Sequence, residues 1–255
     1  MAKESYTVNI FPAGGEVRVS AQIDKYWGAY RKGQAYDKRQ IYEFASHMKV
    51  RRQRRGTKIC FFMDVGANAG SYCLLPALDD RLICAAFEPN PDVFSILEEN
   101  ITLNDLHNVV FPYKMAMWHK KETTLMRVPL NPTDSGLGTM GTHTEVVRDL
   151  FCKTPARANG EFKEIEINCD TIDNFINTHK IPRLDAIKID TEGAELYVLQ
   201  GAIETITKHR PIILFECTKQ AIAQFDHEPE DVFDLLKSLG YTKFEKIRSG
   251  DFITT

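Results

Sequence analysis

The residues with the clearest chemical meaning are Phe62-Met-Asp64-Val-Gly66-Ala-Asn68-Ala-Gly70. An apolar run that ends in spaced glycines reads as a strand turning sharply, and glycine lets a ligand approach the backbone closely. Asn68 tolerates the left-handed conformation that a third glycine would otherwise supply. Eighteen positions after Gly70, Phe87-Glu88-Pro89-Asn90-Pro91 closes a second apolar run. A carboxylate at the end of that strand can accept both ribose hydroxyls of an adenine nucleoside.

A dinucleotide would call for G-x-G-x-x-G, whose third glycine admits a pyrophosphate at the helix start. The chain lacks it. The pattern therefore suits a nucleoside without phosphates, S-adenosyl-L-methionine. Its expected binding set is Asp64 for the charged amino-acid end, the turn at Gly66, Asn68 and Gly70, then Glu88 and Asn90, with Trp118 available to stack on the adenine or to pack in the core.

A second group lies on Leu184–Asp190. Strand alternation puts Lys188 and Asp190 on one side, near the carboxyl end where doubly wound sheets bind ligands. A lysine there is costly to bury unless paired, and the neighbouring strands can offer Asp64 on one side and Glu216 on the other. Such a network either orders strand ends or holds an acceptor. Asp190 is the expected catalytic residue, with Lys188 and Glu216 holding it in register. His143, in an irregular loop, and His119, after the third strand, are the other candidates for taking a proton. Glu192 and Glu195 fall in the first turn of the next helix, where they favour its positive end. No His/Cys cluster has metal-ligand spacing. Asp190, Glu192 and Glu216 could hold Mg²⁺, but no metal is assigned.

The elements that must position these residues alternate from residue 58 onward. Apolar runs at Ile59–Val65, Leu82–Phe87, Val109–Met115, Leu184–Asp190 and Ile212–Cys217 read as strands, separated by helical stretches at Asn90–Asn104 and Glu192–His209. That alternation is the signature of βαβ units. A helix at Asp231–Leu239 and an antiparallel edge pair from Tyr241–Ile247 and Phe252–Thr254 complete an expected α/β fold, a doubly wound, mainly parallel sheet of seven strands with an N-terminal helical cap. Residues 1–57 form the expected basic cap, with a short strand at Val17–Ser20 and helix between about Tyr26 and Met48. Residues 58–255 form the cofactor domain. Within it, 121–170 holds extended runs at Glu122–Val128 and Phe162–Asn168 around a polar stretch, a pattern that predicts an insertion acting as a lid near Ser135–His143.

In this order and spacing, Asp64-Val-Gly-Ala-Asn-Ala-Gly70, Phe87-Glu-Pro-Asn-Pro91, Leu184-Asp-Ala-Ile-Lys-Ile-Asp190-Thr-Glu-Gly-Ala-Glu195 and His209-Arg-Pro-Ile-Ile-Leu-Phe-Glu216 resemble the FkbM-type methyltransferases. The resemblance covers roughly residues 58–217. It implies an S-adenosylmethionine-dependent enzyme that methylates hydroxyls of sugars, polyketides or other small molecules. Pro76 departs from it, since it falls where the first helix would continue. The basic head and the loop around Asp134–His143 match nothing in the family.

Composition bounds the alternatives. The 255 residues carry 32 Lys+Arg against 35 Asp+Glu, with 43% hydrophobic residues, which fits a globular protein. Residues 1–58 hold a net charge of +8 and the remainder −11. Much of the excess lies in Lys49–Lys58, read as a solvated linker, with nucleic acid as a possible partner of Arg51, Arg52, Arg54 and Arg55. The rival functions are accordingly ribose 2′-O-methylation of RNA and a catalytically inactive protein that keeps the cofactor fold. Six cysteines without a C-x-x-C pair read as buried thiols. The start of the sequence has no apolar signal core and no run is long enough to span a bilayer, which predicts a cytoplasmic protein.

Overall fold

A computed structural model describes residues 4–11, 14–22, 32–33, 35, 37–130, 138–141, 162–248 and 250–255. The chain opens with an antiparallel hairpin, β1 (Ser5–Phe11) and β2 (Gly14–Ser20), followed by helix α1 (Lys38–Arg55). The head is thus a hairpin and one long helix, where the sequence suggested one short strand; Tyr26–Arg31 lie outside the described residues. Ile41, Phe44 and Met48 bury one face of α1, and Phe44 meets Phe62 and Tyr72 edge to face at 5.9 and 6.0 Å.

The central strands are β3 (Cys60–Val65), β4 (Leu82–Phe87) and β5 (Val110–Tyr113). Helix α2 (Pro91–Leu103) follows β4, with Pro91 in its first turn and the Asn90 side chain accepting the N–H of Asp92 as its cap. The segment after β3 is a series of turns closed by the 3₁₀ turn Leu75–Ala77, with Pro76 in its first positions, so no α-helix forms where the resemblance would place one. A separate sheet holds β6 (Ala116–Met117), β7 (Glu122–Pro129) and β8 (Phe162–Asp170), in the order β6-β8-β7. Its antiparallel β7–β8 pair is made by the two extended runs of the expected insertion. Residues 131–137 and 142–161 of that segment, the proposed lid and His143 among them, lie outside the described residues.

Helix α3 (Ile172–Thr178) leads into β9 (Ala186–Ile189). Glu192–His209 is two helices, α4 (Glu195–Gln200) and α5 (Ile203–His209). Between them Gly201 packs directly on the Trp118 carbonyl, which any Cβ would strike, so the position requires glycine. Then come β10 (Ile212–Glu216), α6 (Lys219–Ile222), α7 (Pro229–Ser238), β11 (Phe244–Arg248) and β12 (Asp251–Thr254).

The main sheet has seven strands in the order β11-β12-β10-β9-β3-β4-β5. Strands β10, β9, β3, β4 and β5 are parallel, while β12 and β11 add an antiparallel edge. The order reverses at β3 and β9, which opens a crevice at their carboxyl ends. Even-numbered side chains such as Phe62, Cys84, Ala186 and Leu214 face the layer of α1 and α2. Odd-numbered ones such as Met63, Ala85, Ile187 and Phe215 face α3, α4 and α7. Cys60, Cys73, Cys84, Cys169 and Cys217 are free buried thiols, and Cys152 lies outside the described residues.

Candidate active site

The turn leaving β3 is tied to β4 by backbone bonds from Gly66 and Ala67 to the Phe87 carbonyl at 3.1 and 2.9 Å. Gly66 has φ +72° and lies so close to the Asp190 carbonyl that no Cβ would fit, so here the sequence requires glycine. Asn68 takes the left-handed conformation at φ 50°, and its Oδ1 accepts the next N–H, from Ala69, at 2.8 Å. Its own N–H points to Glu88 Oε2 at 2.9 Å, while Glu88 Oε1 accepts the Asn90 N–H at 2.8 Å. Each Glu88 oxygen thus keeps lone-pair capacity for a further donor. Burial raises the Glu88 carboxyl to about 7, with the two N–H bonds working against the rise.

Asp64 is fully buried. One of its oxygens accepts the Cys73 N–H at 3.1 Å and the other lies 3.3 Å from Lys188 Nζ. Through these contacts Asp64 fixes the turn and faces the lysine. Lys188 Nζ also donates to the Gly66 carbonyl at 2.6 Å, lies 3.6 Å from Asp190 Oδ2 and sits over the Tyr72 ring at 5.2 Å. Burial works against the ammonium, but Asp64 and Asp190 outweigh it and hold its pKa above the usual lysine value. Burial likewise pushes the Asp64 carboxyl up, and Lys188 pulls it back. With oxygen atoms around Nζ on several sides, we read the pair as ammonium facing carboxylate.

Asp190, with its side chain 41% exposed, is the member of this network that reaches the crevice. Glu216 does not complete the lysine's shell from β10 as the sequence suggested; its neighbours are carboxylates. Asp190, Glu192 and Glu216 each place an oxygen within 4.8 Å of the others. Burial and then Asp190, Glu192, Glu195 and Asp251 push the Glu216 carboxyl far above its ordinary value. Such a trio can ligate a hard cation or, sharing protons, can accept from and donate to hydroxyls.

Sequence reasoning missed Asp37, Asp251 and Tyr72. Asp251 lies opposite Glu216 in the β10–β12 register and accepts from Gln40 at 3.0 Å. Asp37 precedes α1, and burial followed by repulsion from Asp190 raises it to about 6. Neither carries a sequence signal, because only tertiary packing brings the head and the last strand to this crevice. Glu195, expected to favour the α4 dipole, is buried and accepts the N–H and hydroxyl of Thr191 at 2.7 and 2.9 Å, which shapes the loop after β9.

Trp118 is buried in another cluster, stacked on Tyr197 at 4.5 Å with Phe225 nearby, and His119 packs beside it. The core-packing alternative accounts for this tryptophan, since one face of its ring is already covered. The basic stretch is the end of α1 and not a linker. Arg51 donates to the Asp185 and Arg210 carbonyls, Arg52 pairs with Asp79 at 3.2 Å, and Arg55 pairs with Asp185 at 3.0 Å. Three of the four arginines expected to meet phosphates are committed within the chain. No helix among the described residues is long and apolar enough to cross a membrane.

A family model described as the methyltransferase FkbM domain matches residues 64–243. Methyltransferase 1 of Beauveria bassiana is 26% identical over 146 residues, covering 55% of this chain and 57% of that protein. Methyltransferase sdnD of Sordaria araneosa is 27% identical, covering 56% and 61%. Hexuronic acid methyltransferase AglP of Haloferax volcanii is 27% identical over 197 residues, covering 74% and 67%. The chain spans about three-fifths of the length of the first two relatives. Among solved structures, that of monomeric WbdD matches with a TM-score of 0.50 at 6% identity over 90% of this chain and 44% of that one, a likeness of fold.

Proposed function

We propose that this chain, which belongs to the FkbM methyltransferase family, transfers a methyl group from S-adenosylmethionine to a hydroxyl oxygen of a small polar acceptor. The reading rests on one juxtaposition. Gly66 packs against the Asp190 backbone and accepts from Lys188, and two residues on, Asn68 holds Glu88. The cofactor turn and the carboxylate crevice are therefore one built unit.

The residues fit a nucleoside cofactor. Glu88, held from behind by two N–H groups, retains acceptor capacity suited to a vicinal diol, and Gly66 and Asn68 of the adjoining turn are partly exposed. When bound, S-adenosylmethionine supplies an electrophilic methyl group on a sulfonium. Asp190 would take the proton of the acceptor hydroxyl as that oxygen receives the methyl group. Lys188 holds that carboxylate from behind, 3.6 Å from its Oδ2. Glu216, protonated by its crowding, offers a hydroxyl hydrogen to the acceptor. The chemistry needed is alignment and deprotonation, and a positioned base contributes about 10² to 10⁴ in rate.

Crowded carboxylates favour a neutral polyhydroxyl acceptor, and the hexuronic acid relative makes sugars the first panel to assay. Asp190→Asn should keep the fold and bind the cofactor within a few-fold of wild type while losing turnover. Near-normal turnover would move the base elsewhere and leave the Lys188 network structural.

A further inference from the structure

At the amino end of the same sheet lies a cleft of about 770 Å³. It faces away from the crevice, since Phe61 and Ile83 enter it from the first residues of β3 and β4, and Ile181 from the loop before β9. These side chains, with the 39% exposed Ile59, give it an apolar floor. Its rim is cationic, formed by Arg55, Arg183 and Lys208, and among the described residues no carboxylate lines it. The buried acid beneath, Asp185, already takes Arg55 at 3.0 Å, Arg183 at 2.9 Å and the Phe61 N–H at 3.1 Å. One carboxylate between two guanidiniums, with Lys208 beside them, leaves a positive surplus.

His209 also lines the cleft, and it is 6% exposed. Its Nδ1 accepts the Leu184 N–H at 3.0 Å. A backbone N–H can only donate, so Nδ1 carries the lone pair and Nε2 carries the hydrogen. That Nε2 is buried and has no hydrogen-bond partner. Burial, with Lys208 and Arg55 nearby, lowers the ring's affinity for a second proton.

We propose that this cleft binds an amphipathic anion, an apolar chain ending in one carboxylate, with the chain on Phe61, Ile83 and Ile181 and the head on Lys208, beside the His209 ring. A single free ammonium suits a small monoanionic head, since the guanidiniums are held by Asp185. This site is separate from methyl transfer and does not depend on that reading.

The test titrates the full chain with octanoate, following heat and the His209 ring ¹⁵N and ¹H resonances. Octanoate should bind saturably with a shift of the His209 ring resonances, and Lys208→Glu, a change at an exposed residue, should weaken binding by roughly tenfold or more, the scale of one charge-assisted hydrogen bond. Acetate and inorganic phosphate should bind far more weakly, because neither carries an apolar body, and octan-1-ol because it carries no charge. Octanoate that does not saturate, or that binds Lys208→Glu or octan-1-ol equally well, would overturn the proposal. Tighter binding of octyl phosphate would overturn the carboxylate assignment.

Discussion

The two ends of the central sheet use the same ingredients in opposite proportion. At the carboxyl end one ammonium, Lys188, lies between Asp64 and Asp190, with Glu192 and Glu216 crowded behind. At the amino end one buried carboxylate, Asp185, lies between Arg55 and Arg183. Both oxygens of Asp185 have good donors, so that pair closes on itself. The carboxylates around Lys188 remain in one another's way, and a ligand can exploit repulsion that the fold has left unrelieved. The contrast separates an ion group that fastens strands from one that we propose also does chemistry.

Removing the central ion of each group tests that contrast most severely. Lys188→Ala would leave the fully buried Asp64 without its cation, and loss of one partner of a buried pair costs about 3 to 5 kcal/mol. Asp185→Asn should cost less, about 1 to 3 kcal/mol, because Arg55 and Arg183 are partly exposed and water can solvate them. Denaturant melts of the two variants should rank in that order. The reverse ranking would make the amino end the tighter lock.

Next in size is the effect on rate. Asp190→Asn should lower turnover at least about 100-fold, worth roughly 2.7 kcal/mol, with the melting temperature little changed. Methyl transfer to a responsive sugar acceptor is the assay, and a variant that retains activity would make the two ends alike in being structural.

Much of this arrangement was legible in the sequence, for identifiable reasons. Strands β3, β4, β9 and β10 are continuous apolar runs because both faces of a parallel sheet are covered, and the Gly66–Gly70 turn and Glu88 follow from strand ends. The pairing of Lys188 with Asp64 follows from alternation once the strands are neighbours. What was hidden depends on distant packing. Asp37 and Asp251 join the crevice only through α1 and the antiparallel edge. The need for glycine at 201 comes from the distant Trp118 backbone. Arg51 and Arg55 of α1 read as solvated because their acceptors, Asp185 and the carbonyls of Asp185, His209 and Arg210, lie more than a hundred residues away.

A smaller effect lies in the pH dependence of stability. Glu88 and Glu195, raised to about 7, and Asp37, raised to about 6, all by burial, bind protons more readily folded than unfolded. Their stabilisation is full below the unfolded values near 4 and is lost as pH rises through 6 to 7, each tenfold gain in proton affinity being worth about 1.4 kcal/mol. Cofactor-free protein should therefore become less stable from about pH 5 to pH 7.5. Stability that rises over that range would mean that carboxylates held by arginine, such as Asp79 with Arg81 and Arg52, outweigh the crowded end.

The claim that the carboxyl end is the cofactor site is tested most directly by calorimetric titration of S-adenosylmethionine into the wild-type chain and folded Glu88→Ala. The wild type should bind one equivalent, and the variant should bind more weakly by about 1.5 to 3 kcal/mol, the range for hydrogen bonds to a charged group. Equal affinity in the two proteins, or no binding to the wild type, would contradict the assignment.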